Sequence, residues 1–220
     1  MRPQHHANPP WPTVPLGSVC ELITLWNPTA APDDPFSYID LTAVSNRTKK
    51  IDGANVIMGS DAPSRARQKV KTDDLLVSTV RPNLNAVALV PAGLDGATAS
   101  TGFTVLRASE LANPRYLFHW VRSQRFVSEM TRRASGASYP AVTDKIVKES
   151  MIHLPPLGVQ RRIAEVLDAA DAVRAARRAT LTRLDELPQA IFHQMFAGQD
   201  WPTQPLGMIA TLSALIHRRS

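Results

Sequence analysis

The 220-residue sequence contains a single cysteine, Cys20. One thiol cannot build an internal disulfide framework or supply a Cys-based zinc site. Within LGSVCELI it reads as a small buried apolar residue. No apolar run approaches the ~18 residues of a membrane span. The first ten residues, MRPQHHANPP, are polar and proline-rich, which predicts no secretory signal and a cytoplasmic protein. No G-x-x-x-x-G-K-[ST] stretch is present to cradle a nucleotide's phosphates, and no G-x-S-x-G elbow to carry a serine nucleophile. None of the six histidines has the H-E-x-x-H spacing of a zinc helix, and His119 reads as a core or boundary residue. The acidic pairs Asp33-Asp34 and Asp73-Asp74 are adjacent in sequence. Adjacent strand residues face opposite ways, so neither pair converges on one substrate, and surface or turn roles are expected. No catalytic set survives.

What the chain does have is a modest excess of cations, 25 Lys+Arg against 19 Asp+Glu. That permits a polyanionic partner without identifying one. With 44% hydrophobic residues there is material for one well-filled core. An internal repeat stands out: residues 11–17 read WPTVPLG and residues 201–207 read WPTQPLG, agreeing at six of seven positions. The apolar pattern continues in both copies, Val19 and Leu22 matching Ile209 and Leu212. The reading is one full unit followed by the opening of a second.

Turn residues divide the first unit. Helical spacing is expected over 16–24. Strands are expected over 37–44, 55–58, 74–80, 86–90 and 98–107. Asn113-Pro114 opens a helix carrying Tyr116, Leu117, Trp120, Val121, Phe126, Val127 and Met130. Ser135-Gly136-Ala137-Ser138 is expected to stop it. After Pro155-Pro156 the composition changes. Ile163, Val166, Ala170 and Val173, then Leu184, Leu187 and Ile191, mark the apolar seam of a long amphipathic helix. Its Arg, Asp and Glu residues nearly cancel in charge. It therefore reads as a partner helix forming a coiled coil rather than a DNA clamp. Pro188 is expected to kink it or end its first section. Asn8-Pro9-Pro10-Trp11 resembles the [DNS]-P-P-[YFW] loop of amino-methyltransferases. Only seven residues precede it, too few for the strand and Gly-rich loop that hold S-adenosylmethionine there, so the chain is not expected to be a methyltransferase itself.

Several segments together resemble the specificity subunit of Type I restriction–modification systems. They are Leu154-Pro155-Pro156-Leu157 with Gln160-Arg161-Arg162-Ile163, Leu167-Asp168 and Asp171. Leu184-Asp185 with Gln189, Phe192, Met195 and Phe196 continue the helix motif. The opening Trp11-Pro12 with Pro15-Leu16-Gly17, Asp74-Leu75-Leu76-Val77 with Arg81-Pro82-Asn83, and the stretch 136–142 (GASYPAV) also match. The resemblance implies a mixed α/β (α+β) target recognition domain over 11–154. It is preceded by a disordered lead, 1–10, and followed by a long coiled-coil-forming spacer helix, 155–197. Residues 198–220 would be the truncated start of a second unit. Subunits of this family carry two recognition domains, so the chain looks like a half-length or truncated form.

The implied function is non-catalytic reading of one half of a bipartite site in double-stranded DNA. The helix would dock a methyltransferase subunit, which carries S-adenosylmethionine, and a restriction nuclease subunit would join for cleavage. No cofactor is expected on this chain and no metal site. A second copy of the chain would supply the missing half, the two seams pairing antiparallel. The DNA-contact candidates are cations, amides and hydroxyls expected in loops. They are Arg47, Lys49 and Lys50; Arg65, Arg67, Lys69 and Lys71, on one face if extended; Arg81, Asn83 and Asn85; and Ser138 and Tyr139. Two other readings stay open: a general basic DNA-binding module, and a silent copy that binds the methyltransferase subunit without reading DNA.

Overall fold

The computed structural model describes residues 11–197. They fall into two compact units, divided after Ala169. The lead 1–10 and the second WPTxPLG copy lie outside the described residues.

The first unit is built around β7 (Leu75–Ser78), whose residues are all buried. β7 lies in a four-stranded antiparallel sheet of order β2 (Cys20–Glu21), β10 (Phe103–Ala108), β7 and β8 (Val87–Leu89). Leu75 and Val77 point into one core with Val87, Leu106, Leu117, Val121, Phe126 and Met130. Leu76 points into a second, with Ile39, Val70, Ala88, Ala99, Phe103 and Val105. A sheet covered on both faces needs an unbroken apolar run rather than an alternating one, which is what Leu75-Leu76-Val77 supplies.

One cover is helical: α1 (Pro114–Val121), α2 (Gln124–Arg133) and α3 (Asp144–Glu149). The other is a five-stranded sheet of order β3 (Thr24–Leu25), β6 (Ala66–Lys69), β9 (Thr98–Ser100), β4 (Pro35–Ile39) and β5 (Asn55–Met58). Its β4–β9 pair is parallel. The ends of the domain close on each other. β1 (Thr13–Pro15) pairs antiparallel with β11 (Met151–His153). The ladder is extended by Leu16 N donating to Ser150 O at 2.8 Å and Leu154 N donating to Pro12 O at 2.9 Å.

Several local expectations are corrected. The stretch 16–24 is a 3-10 turn, Leu16–Val19, followed by β2 and β3. Residues 37–44 give β4 and then a 3-10 turn, Leu41–Ala43, capped by Asp40. The run 98–107 is two strands in different sheets. The chain crosses at Thr101-Gly102, where a Cβ on Gly102 would stand 2.8 Å from Leu41. The buried Gln68 amide ties the crossing by donating to Ser100 O and Phe103 O, at 2.7 and 3.0 Å. The helix opened by Asn113-Pro114 breaks after Val121, and Ser123 caps a second one through Phe126 N. Asp74 is no surface residue. Its two carboxylate oxygens grip Arg107 Nε and Nη2 at 2.9 and 2.7 Å, and it accepts from Lys71 N. The two-point grip is the geometry a guanidinium and a carboxylate favour when withdrawn from water.

The long helix, α4, spans Leu157–Phe196 and continues through Pro188, which ends no section of it. Its first turns belong to the first unit, and Gln160 is their anchor. The fully buried amide accepts from Asn113 N at 2.8 Å and donates to Leu111 O at 3.0 Å and Pro155 O at 2.8 Å. Ala164 is buried beside it and Ile163 packs on the helical core. Two turns on, Asp168 accepts from Arg115 Nη1 at 3.0 Å and from His119 Nε2 at 2.9 Å. A carboxylate can only accept, so this nitrogen carries the proton.

The described part of the second unit is the rest of α4 and Ala197. Within it Val173, Leu181, Leu184, Leu187, Ile191, Phe192, Met195 and Phe196 are exposed. Phe192 and Phe196, one turn apart, stack with centroids 4.5 Å apart.

Two outcomes follow. Gln160→Leu leaves one backbone N–H and two carbonyls unpaired in a dry site, so it should cost about 3 kcal/mol, measured by urea unfolding. Gln160→Glu, unable to donate while ionised, should recover little of that loss. Burial pushes the Cys20 thiol up to about 12, partly opposed by Lys148, while its Sγ donates to Leu16 O at 3.3 Å. Cys20 should therefore resist a thiol reagent at pH 8 in the native state and react promptly in urea.

Candidate nucleic-acid interface

Three of the four sequence-predicted clusters meet where β7 ends. The first loop follows the Leu41–Ala43 turn and is closed by the Val44–Ile51 bridge. Ser45 N donates to Lys50 O at 3.0 Å and Lys49 N donates to Ser45 O at 3.0 Å. This presents Arg47 and Lys50 to solvent, whereas Lys49 is half-buried. Lys49 has φ +58°, a left-handed conformation unusual for a long side chain.

The second loop is a 3-10 turn, Pro82–Leu84, flanked by two further left-handed residues. Arg81 has φ +48° and ψ +61°, and Asn85 has φ +49° and ψ +53°. Asn tolerates this region, but Arg does so rarely, and a residue before proline ordinarily extends. Contacts from outside hold the loop. Arg81 N donates to Pro140 O at 2.7 Å. Asn85 Nδ2 donates to Val121 O, at the end of α1, at 2.8 Å. The Lys49 ammonium donates to Asn85 O and to Asn85 Oδ1. Burial lowers the Lys49 pKa, and the nearby Arg122 lowers it further.

The third loop, 135–141, is clamped by a reciprocal pair of backbone bonds between Ser135 and Ala141, both 2.9 Å. Gly136 turns it at φ +101°, where a Cβ would press on Tyr139 O at 3.0 Å. Val142 N donates to Thr79 O, fastening the loop to the end of β7. Ser138 and Tyr139 are exposed, Tyr139 to 67%. The Arg81 guanidinium lies 4.8 Å from the centre of the Tyr139 ring. That stack fixes a long cation in place at low entropic cost. Arg81, Asn83, Leu84, Ser138 and Tyr139 are thus solvent-facing groups on loops whose backbones are held from below.

The fourth cluster is divided. Burial alternates over 65–71: Ala66, Gln68 and Val70 turn inward, while Arg65, Arg67, Lys69 and Lys71 turn outward. Arg65 O accepts from Thr101 N, and Thr79 N donates to Gly102 O, so Arg65 lies at the Arg81 end of β7. Lys71 lies at the opposite end, its N–H on Asp74. Lys69 stands 4.3 Å over the Trp26 ring. Arg67 donates to its neighbour's carbonyl, Ala66 O, at 2.7 Å.

Sequence reasoning missed the inward role of Lys49 and the exposed Leu84. It also gave no sign that Arg81 is left-handed. Asn takes that conformation readily, whereas Arg81 and Lys49 take it because of partners distant in sequence. Among the seam residues, Ile163 packs on its own domain and Ala170 is half-buried. Val166, Val173, Leu184, Leu187 and Ile191 are exposed.

Residues 10–184 match the family described as the Type I restriction modification DNA specificity domain. The HsdS subunit of Thermoanaerobacter tengcongensis superposes with a TM-score of 0.73 at 38% identity, over 92% of this chain and 54% of that one. The HindI specificity subunit of Haemophilus influenzae is 24% identical over 143 residues, and the EcoDI specificity subunit of Escherichia coli is 24% identical over 160 residues. The chain spans 31% and 35% of those two relatives. The matched segment covers the three-loop surface, the domain beneath it and most of α4, and the chain belongs to the Type I restriction–modification DNA specificity family.

Proposed function

We propose that this protein is a non-catalytic specificity subunit that reads one half of a bipartite DNA site in the cytoplasm. The observation that carries the reading is the convergence of the 45–50, 81–85 and 135–141 loops at the end of β7. There a left-handed backbone is held rigid beneath exposed Arg81, Asn83 and Tyr139. Backbone strain in a loop of this kind persists only when its surroundings over-determine it, and such strain gathers at binding sites. Arg and Asn offer the paired hydrogen bonds that distinguish guanine and adenine in the major groove. Arg47, Lys50 and Arg65, exposed cations on segments at the same end of β7, suit phosphates. Lys69 and Lys71, at the far end of β7, are peripheral to this surface.

The exposed seam of α4 supplies the second element. Val173, Leu184, Leu187 and Ile191 form an apolar face that favours an antiparallel helix partner. A second copy of the chain would provide it and, with it, the other half-site. Helix α4 would also dock the methyltransferase subunit. That subunit would carry S-adenosylmethionine, and the nuclease subunit would join the assembly for cleavage.

Light scattering should give a mass near twice 24.1 kDa, rising further when the methyltransferase subunit is added. A Leu184→Glu, Leu187→Glu variant should return a single-chain mass. A monomeric wild type that recruits one methyltransferase subunit, or none, would sink the dimer. For DNA reading, Arg81→Gly is informative because glycine accepts the left-handed backbone. It should leave the unfolding free energy within about 1 kcal/mol of wild type. Affinity for the sequence that wild type selects from a random pool should drop at least about tenfold. Unchanged selection by this variant would remove Arg81 from the reading surface.

A further inference from the structure

We infer that Lys49 is a positioning residue for sequence reading, holding the 81–85 loop in its left-handed frame instead of contacting DNA. The inference rests on the assignment of that loop as the reading element. It sets Lys49 apart from Arg47 and Lys50, its neighbours in one basic cluster.

The geometry separates them. Arg47 and Lys50 are exposed, as phosphate-binding cations should be. Lys49 is turned inward, and one ammonium meets both the backbone carbonyl and the side-chain carbonyl of Asn85. Those two oxygens belong to the residue that closes the turn. With both occupied from one side, the Asn85 amide group is oriented so that its Nδ2 reaches Val121 O at the end of α1. Lys49, Asn85 and α1 thus form a chain of hydrogen bonds beneath the loop. At the other end of the turn, Arg81 N is held by Pro140 O. The loop is fixed at both flanks, and each flank is a non-glycine residue in the left-handed region.

The cost of this arrangement argues for its purpose. A charged ammonium is half-withdrawn from water and set near another cation, Arg122, and burial lowers its pKa. A lysine placed for phosphate would reach outward and avoid both penalties. Lys49 also accepts a left-handed backbone, with its N–H on Ser45 O, which swings the side chain beneath the loop. What these costs secure is the fixed conformation of Asn85, and through it the placement of Asn83 and Arg81.

The test uses the full chain and three variants, Lys49→Met, Lys49→Arg and Lys50→Met. Competition binding measures specific and non-specific DNA across a salt series, with the target selected by wild type from a random pool. Removing a cation that touches phosphate lowers the salt slope by about 1 and leaves the specificity ratio alone. Lys50→Met should behave that way. Lys49→Met should keep the wild-type slope, lower the specificity ratio about tenfold, and speed amide exchange at Leu84 and Asn85 while exchange in β7 is unchanged. Lys49→Arg, which can still donate to both carbonyls, should recover most of the ratio. A reduced slope with the ratio retained would make Lys49 a phosphate contact and overturn the inference. So would unchanged exchange with an unchanged ratio. If Lys49→Met does not fold, Lys49→Gly, which removes the donor and accepts the left-handed backbone, replaces it under the same outcomes. Wild type without any sequence preference would instead defeat the DNA-reading assignment. The exchange measurement on Lys49→Met would then still report whether Lys49 holds the loop.

Discussion

The buried amide of Gln160 is the interaction on which the join between domain and helix depends. It ties two pieces of chain to the helix that carries it: the loop before α1 at Leu111 and Asn113, and the proline pair at Pro155. Every hydrogen bond it makes goes to a backbone group. Its partners therefore do not depend on which side chains the domain carries. Around it the chain closes on itself, with β1 beside β11 and Leu154 N on Pro12 O. The opening and closing segments of the domain are thereby one small structure. This gives a physical reason for Trp11-Pro12 and Leu154-Pro155-Pro156 to sit at the two ends of the domain sequence. Asp168, gripped by Arg115 and His119, adds a second fixed point two turns along the helix.

The same logic, backbone held from a distance, shapes the candidate reading surface. Loops 81–85 and 135–141 bond to each other and to the end of β7, and loop 45–50 reaches the 81–85 loop through one ammonium. β7 is buried on both faces and flanked by strands on both sides, so its end is a stable platform. Positions on the surface vary in exposure and charge while the hydrogen bonds below them are made largely by main chain. Such a division lets contacting side chains change without loss of the fold.

Much of the architecture was legible in the sequence. Strand β5 coincides with the apolar stretch 55–58, and Asn113-Pro114 opens α1 with Asn113 capping Tyr116 N. The outward face of Arg65, Arg67, Lys69 and Lys71 follows from period-two alternation and is present. Other features were not legible. The single stretch 98–107 divides between two sheets because Gly102 can pass against Leu41, and a period-two pattern is the same on either side of such a crossing. The break after Val121 is set by a Ser123 cap inside a pattern that otherwise continues. Asp74 looked like half of an exposed acidic pair. It is buried because Arg107, 33 residues away, supplies the compensating charge.

The sequence by itself determined the long helix, the basic loops, the apolar seam and the family, since these rest on local spacing and on motifs contiguous in the chain. Only the tertiary structure decided which cations share a surface. It divided Arg65 from Lys71 by the length of β7, brought Arg81 against the Tyr139 ring, and turned Lys49 inward beneath Asn85. The reason is that a side chain's role depends on the field and partners around it. Those partners are Asn85 for Lys49 and Pro140 for Arg81, 36 and 59 residues away in the chain. No periodicity in the sequence encodes a hydrogen bond at that separation.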